Sequence, residues 1–298
     1  MDSELPKLED GERRRRSRRL FRHRKIPVRM LVPNFFTLLS LCMGVTAIRM
    51  AIEQNYPIAL LLIVLAALVD GIDGRLARAL KAQSRFGAEL DSLADFVNFG
   101  VAPALLIYTW GLGGLKGFGW IAVLVFACCM GLRLARFNSM IDVDKPKWQS
   151  NYFTGIPAPA GALTVLLPLF LDGLGLINVR ESPLLIALYT LFLAFMLVST
   201  IPTFSGKLLG ERISRDYVLP IFGAAVLFVG LLWTYPYATM TCLALVYLAA
   251  IPFSYQRFQQ KLQADNAMME ANAMRMGQSL PPSAGAVQFP AAPTETKH

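Results

Sequence analysis

Eight apolar stretches, each near the roughly 20 residues that cross a bilayer as a helix, leave this chain few choices of fold. They run over about 34–49, from about 57 into an aspartate-rich end, 86–110, 120–138, 157–176, 183–204, 217–233 and 237–253. Inside hydrocarbon no water can satisfy a peptide group, so each stretch must bond its own backbone as a helix. With 55% hydrophobic and only 16% charged residues, the composition falls outside the soluble range. The expected fold is therefore all-α, a polytopic membrane helix bundle of about eight transmembrane helices. Residues 1–28 are expected to form a disordered basic cytoplasmic tail, 29–257 the transmembrane domain, and 258–298 a second cytoplasmic tail, helical to about Met276 and then disordered.

The net charge of +9 comes with no compact basic domain carrying interleaved aromatics, so nucleic acid is not an expected partner. Eight arginines lie between Arg13 and Arg24, directly before the first apolar stretch. They read as a cytoplasmic orientation signal that also touches anionic membrane lipid. With the N-terminus inside, the internal cytoplasmic loops and helix ends hold eleven basic residues: Arg75, Arg78, Lys81, Arg85, Arg133, Arg136, Lys145, Lys147, Lys207, Arg212 and Arg215. The opposite side holds three, Arg49, Lys116 and Arg180. That asymmetry predicts an integral protein of the cell or inner membrane with both termini cytoplasmic. Cys42, Cys128, Cys129 and Cys242 all fall in apolar stretches and read as small buried hydrophobes.

Asp70, Asp73, Asp91 and Asp95 stand where the second and third stretches meet. A carboxylate at the centre of a bilayer helix costs about 2.5 to 3.5 kcal/mol, so four unpaired ones would cost at most roughly 10 to 14 kcal/mol. Residues three or four apart share a helix face. Asp70, Asp73, Ala77 and Lys81 then form one stripe, and Gly87, Asp91 and Asp95 a second, which Asn98 continues. Facing each other, the stripes converge four carboxylates whose charge two divalent cations would neutralise. Oxygen ligands without clustered His or Cys point to magnesium, manganese or calcium. Two such ions suit transfer at phosphorus. Gly74, Ala77 and Gly87 leave room for a bulky polar ligand, and Arg78 can fork onto a phosphate. The plainer reading is that the acids merely pair with Arg75, Arg78, Lys81 and Arg85 at a membrane edge.

The full spacing D-x2-D-G-x2-A-R-x8-G-x3-D-x3-D is met by Asp70, Asp73, Gly74, Ala77, Arg78, Gly87, Asp91 and Asp95. At these residues the chain closely resembles the CDP-alcohol phosphatidyltransferase family. The resemblance implies a six-helix core, usually a homodimer, that moves a phosphatidyl group from a CDP-linked donor to an alcohol and releases CMP. It further implies that Asp70, Asp73 and Asp91 ligate two Mg2+ or Mn2+ ions. Asp95 would join the metal site and deprotonate the acceptor hydroxyl, and Gly74, Ala77, Arg78 and Gly87 would receive the CDP donor.

Further stretches resemble the integral-membrane phosphatidylserine synthase branch of that family. They are PNFFTLLSLCMG from Pro33, DFVNFGVAPALL from Asp95, RLARFN from Arg133, FTGIPAPA from Phe153 and VSTIPTFSGK from Val198. The substrates implied are CDP-diacylglycerol and L-serine, with phosphatidylserine and CMP as products. Serine carries a carboxylate and an ammonium, so Arg133, Arg136, Asn98, Asn138 and Lys207 are candidate acceptor-binding residues, one of the two arginines meeting the carboxylate. Choline, glycerol phosphate or inositol as acceptor is the near alternative. A cation-coupled transporter using intramembrane aspartates, or a lipid-binding scaffold, is the alternative of another class.

Overall fold

The computed structural model describes residues 31–140, 152–175, 178–204 and 218–276. The basic tail of residues 1–28, the loop lysines Lys145 and Lys147, and Lys207, Arg212 and Arg215 lie outside the described residues. The helices are α1 (Leu31–Ile52), α2 (Tyr56–Ala79), α3 (Arg85–Leu115) and α4 (Gly117–Ser139). They are followed by α5 (Ala158–Val165), α6 (Leu167–Gly173), α7 (Pro183–Val198), α8 (Val218–Thr234) and α9 (Pro236–Met276). Among the described residues five helices are long and apolar enough to cross a membrane: α1, α2, α3, α4 and the first part of α9. The apolar α7 and α8 are shorter. Large apolar side chains such as Phe35, Phe195 and Trp233 are exposed on the outside of the bundle, where a bilayer is the matching solvent. The chain is an all-α integral membrane protein.

Two differences from the sequence expectation have local causes. The fifth apolar stretch is broken into α5 and α6 at Leu166, because Pro168 has no N–H for the carbonyl one turn back and its ring crowds that turn. The sixth ends at Val198 instead of continuing to 204. Pro202 disfavours helical backbone before it, and Pro202–Phe204 becomes a strand, β2, antiparallel to β1 (Tyr152–Thr154) with Phe153 opposite Thr203. The cysteines also depart from expectation: Cys42, Cys128 and Cys242 are exposed and only Cys129 is partly buried. On a bundle whose outer surface faces lipid, an apolar thiol is at home outside as well as inside.

α1 packs on α2 and α3 through one stripe of small and polar residues. Thr37, Ser40, Gly44, Ala47 and Ala51 are buried at intervals of three and four along an otherwise lipid-facing helix. Ser40 donates to the Ala66 carbonyl on α2 at 3.0 Å and accepts from the Asn98 amide on α3 at 2.7 Å. Gly44 is required here, because a Cβ on it would overlap the Asn98 side chain. Asn98 itself sits in a wide π-helical segment of α3, Phe96–Val101. That widening accommodates Pro103, which cannot donate into a regular helix.

The turn between α2 and α3 sets how the aspartates meet. α2 ends in a Schellman turn: Ala82 N–H reaches the Ala77 carbonyl at 2.9 Å and Lys81 N–H the Arg78 carbonyl at 3.2 Å. Lys81 adopts the left-handed φ of 50° that this turn requires. Ser84 then caps α3 by accepting the Gly87 N–H at 3.0 Å. At the opposite end of the bundle, Tyr56 donates to the Thr109 carbonyl at 3.0 Å and Arg180 to that of Trp110 at 3.0 Å.

Gly44→Val is expected to lower the melting temperature of the detergent-solubilised protein, through about 1–3 kcal/mol of overpacking against Asn98. Gly230→Ala, where a Cβ meets nothing within 4 Å, should leave it unchanged or raised.

Candidate active site

Asp70 and Asp73 lie in the last turns of α2 and Asp91 and Asp95 in the first turns of α3, so the hairpin brings the two stripes face to face. Asp70, Asp91 and Asp95 each offer a carboxylate oxygen, and these oxygens all lie within 4.8 Å of one another. Asp70 and Asp95 face each other directly. One oxygen of each is buried without a hydrogen-bond partner. Neighbouring carboxylates with orphaned oxygens repel when both are charged, and a cation between them or a shared proton relieves the repulsion. The donor set is all hard oxygen, which fits Mg2+ or Mn2+.

Asp73 stands beside this trio. It is buried, within electrostatic range of Asp91, and its carboxylate accepts the Thr37 hydroxyl at 2.8 Å. That hydroxyl also approaches the Pro33 carbonyl at 3.2 Å, so Thr37 links the start of α1 to the end of α2. A cavity of about 240 Å³ with mixed polar and apolar lining opens here, bordered by Asp73, Gly74, Ala77, Arg78, Gly87 and Asp91 together with Asn34 and Thr37 of α1. Both glycines shape it. A Cβ on Gly87 would press on Asn34 and Ser84 at 3.0 and 3.1 Å, whereas one on Gly74 would meet only the Arg78 side chain, at 3.8 Å.

The acceptor candidates separate. Arg136 donates to the carbonyls of Val198 at 2.6 Å, Thr154 at 3.1 Å and Ser199 at 3.3 Å, with Leu197 at 3.5 Å. It thus caps the C-terminus of α7 and ties β1 to it, which occupies the guanidinium. Arg133, one turn away and only 8% exposed, spends its Nε on the Ile156 carbonyl at 2.6 Å and lies within electrostatic reach of Asp95. Asn98 is turned away from the carboxylates toward Ser40, and Asn138 donates to Ser92, the neighbour of Asp91, at 2.9 Å. Lys207 lies outside the described residues.

The family model for CDP-alcohol phosphatidyltransferase matches residues 30–201, more than half of the chain and the whole of this site. The chain belongs to the CDP-alcohol phosphatidyltransferase family. A second model, CDP-alcohol phosphatidyltransferase 2, matches residues 216–252, which cover all of α8 and the start of α9. Among relatives, the CDP-diacylglycerol--serine O-phosphatidyltransferase of Mycobacterium leprae (strain TN) is 41% identical over 75% of this chain and 74% of its own. The protein of that name in Methanocaldococcus jannaschii is 31% identical over 68% of this chain and 88% of its own. The one in Bacillus subtilis (strain 168) is 34% identical over 57% and 88%. This phosphatidyltransferase is therefore an integral membrane enzyme, and its eight signature residues lie at the hairpin of α2 and α3. Thr37 lies outside the eight-residue signature, so its place at the site is not legible from that spacing. Its signal was the polar stripe Asn34, Thr37 and Ser40 on one face of an apolar helix.

Thr37→Val, which keeps the shape and removes the hydroxyl held by Asp73, should leave the fold intact and lower CMP release about tenfold. Thr37→Ser should restore most of it. Turnover of the two variants beside a circular-dichroism melt checks this.

Proposed function

We propose that this enzyme transfers the phosphatidyl group of CDP-diacylglycerol to the hydroxyl of L-serine, giving phosphatidylserine and CMP. The observation that carries the reading is the convergence of Asp70, Asp91 and Asp95 within 4.8 Å beside the cavity lined by Gly74, Ala77, Arg78 and Gly87. Relatives named for serine as acceptor support the choice of alcohol. The reaction takes place at the cytoplasmic end of the bundle, where the basic loop residues gather. The active species is a homodimer.

In this reading Asp70, Asp73 and Asp91 hold two Mg2+ or Mn2+ ions, with Asp95 shared between metal binding and catalysis. When bound, the cations supply the positive charge that neutralises the pyrophosphate and the departing CMP. Gly74, Ala77 and Gly87 let the CDP head group lie against the helix backbones, and Arg78 pairs with a phosphate through its planar fork. Thr37 keeps Asp73 in one rotamer. Asp95 removes the proton of the serine hydroxyl as that oxygen attacks the phosphorus bearing the diacylglycerol; the phosphoanhydride bond to CMP breaks. Arg133 receives the serine carboxylate next to Asp95, while Arg136 maintains the frame around it.

Purified protein given CDP-diacylglycerol, serine and Mg2+ or Mn2+ should release CMP and form phosphatidylserine. Chelation should abolish the release and added metal restore it. CMP release with choline or glycerol phosphate but not serine would overturn the acceptor.

Asp95→Asn should lower kcat by about 10²–10⁴ while donor binding persists. Arg133→Lys should raise the KM for serine at least about tenfold with little change in the KM for donor, because an ammonium cannot reproduce the bidentate fork. Arg136→Ala should chiefly lower the melting temperature.

A further inference from the structure

A second cavity, about 380 Å³ and almost wholly apolar, lies between α2, α3, α5, α6, α8 and α9. It begins beside the carboxylates. Ala67, on its wall, is three residues before Asp70, and Phe99 is four after Asp95, so each stands one helical turn from a signature aspartate. Among the described residues that line it, Tyr247 of α9 alone brings a side-chain hydroxyl.

That hydroxyl is buried and makes no hydrogen bond; Thr203 approaches it without closing one and donates instead to the Gly155 carbonyl at 2.8 Å. On its polar side Tyr247 lies within electrostatic reach of Arg133, itself within reach of Asp95. A buried phenol without a partner is destabilising, and a ligand that supplies an acceptor relieves it. The required ligand has an apolar chain for the cavity, a polar head for the aspartates, and an acceptor oxygen at the junction. A fatty-acyl ester has its carbonyl at that position.

Building on the donor reading above, we infer that one acyl chain of the CDP-linked lipid lies in this cavity, and that Tyr247 donates its O–H to the ester carbonyl of that chain. Tyr247 is then a positioning residue for the donor. α8 and α9 form the outer wall of its chain slot, through Phe228 and Leu232 of α8 and Met240 and Leu243 of α9. The slot holds the glycerol end of the lipid at a set depth, so its phosphorus arrives level with the carboxylates.

The test compares CDP-diacylglycerol with a CDP-dialkylglycerol of equal chain length, whose ether links lack the carbonyl, in wild type and Tyr247→Phe. With the ester donor, Tyr247→Phe should raise the donor KM about three- to tenfold, the effect of one lost hydrogen bond, while kcat and the serine KM stay within about twofold. With the ether donor the substitution should have no effect, and the wild type should already show the higher KM. Equal losses on both donors, or a change confined to the serine KM, would overturn the inference. No CMP release by the wild type from either donor would overturn the donor reading and this inference with it. Leu243→Trp, which fills the slot from the lipid-facing side, should discriminate against long-chain donors and spare dihexanoyl ones. Equal effects on both would place the chain elsewhere.

Discussion

Like charges held together in a membrane protein set the terms for everything else in this molecule. Asp70, Asp91 and Asp95 bring their oxygens within 4.8 Å of one another, and two of those carboxylates keep an oxygen with no hydrogen-bond partner. Among the described residues no basic side chain closes an ion pair on the cluster. The fold forces such an arrangement, and a bound cation or a proton shared between carboxylates can relieve it.

The forcing comes from three short devices. The Schellman turn at Lys81 and the Ser84 cap bring α3 back along α2 within five residues. The small stripe of α1 then clamps both helices, through Ser40 to Ala66 on one side and to Asn98 on the other. One turn higher, Thr37 repeats the clamp on Asp73. Because hydrocarbon offers no competing water, each of these hydrogen bonds holds geometry better than it would at an aqueous surface. The wide turns of α3 follow directly after Asp95, so the irregular backbone lies inside protein and not against lipid.

Two cavities of different character flank the carboxylates, one of mixed polar and apolar lining toward the α2–α3 turn and the start of α1, one almost wholly apolar between the helices. This division matches an amphipathic donor whose head and tail need different solvents. Arg136 is spent on the carbonyls at the end of α7, which leaves Arg133 as the buried cation near Asp95. Identical residue types one turn apart thus have distinct positions, because the loop after α7 folds back over only one of them.

Apolar length alone determined that this chain is a helical membrane bundle, since only helices satisfy their own backbone in hydrocarbon, and the spacing of eight residues determined its chemical family. Both signals are local, read within a stretch or across one hairpin. Tertiary structure decided what depends on distant segments. It set the break at Leu166, the pairing of β1 with β2, the exposure of Cys42, Cys128 and Cys242, and the partners of Arg133, Arg136 and Asn98. It also brought Tyr247, more than 150 residues beyond Asp95 in the chain, into the lining of the apolar cavity that starts one helical turn from Asp70 and Asp95. Periodicity says which face of a helix is special; only packing says what that face meets.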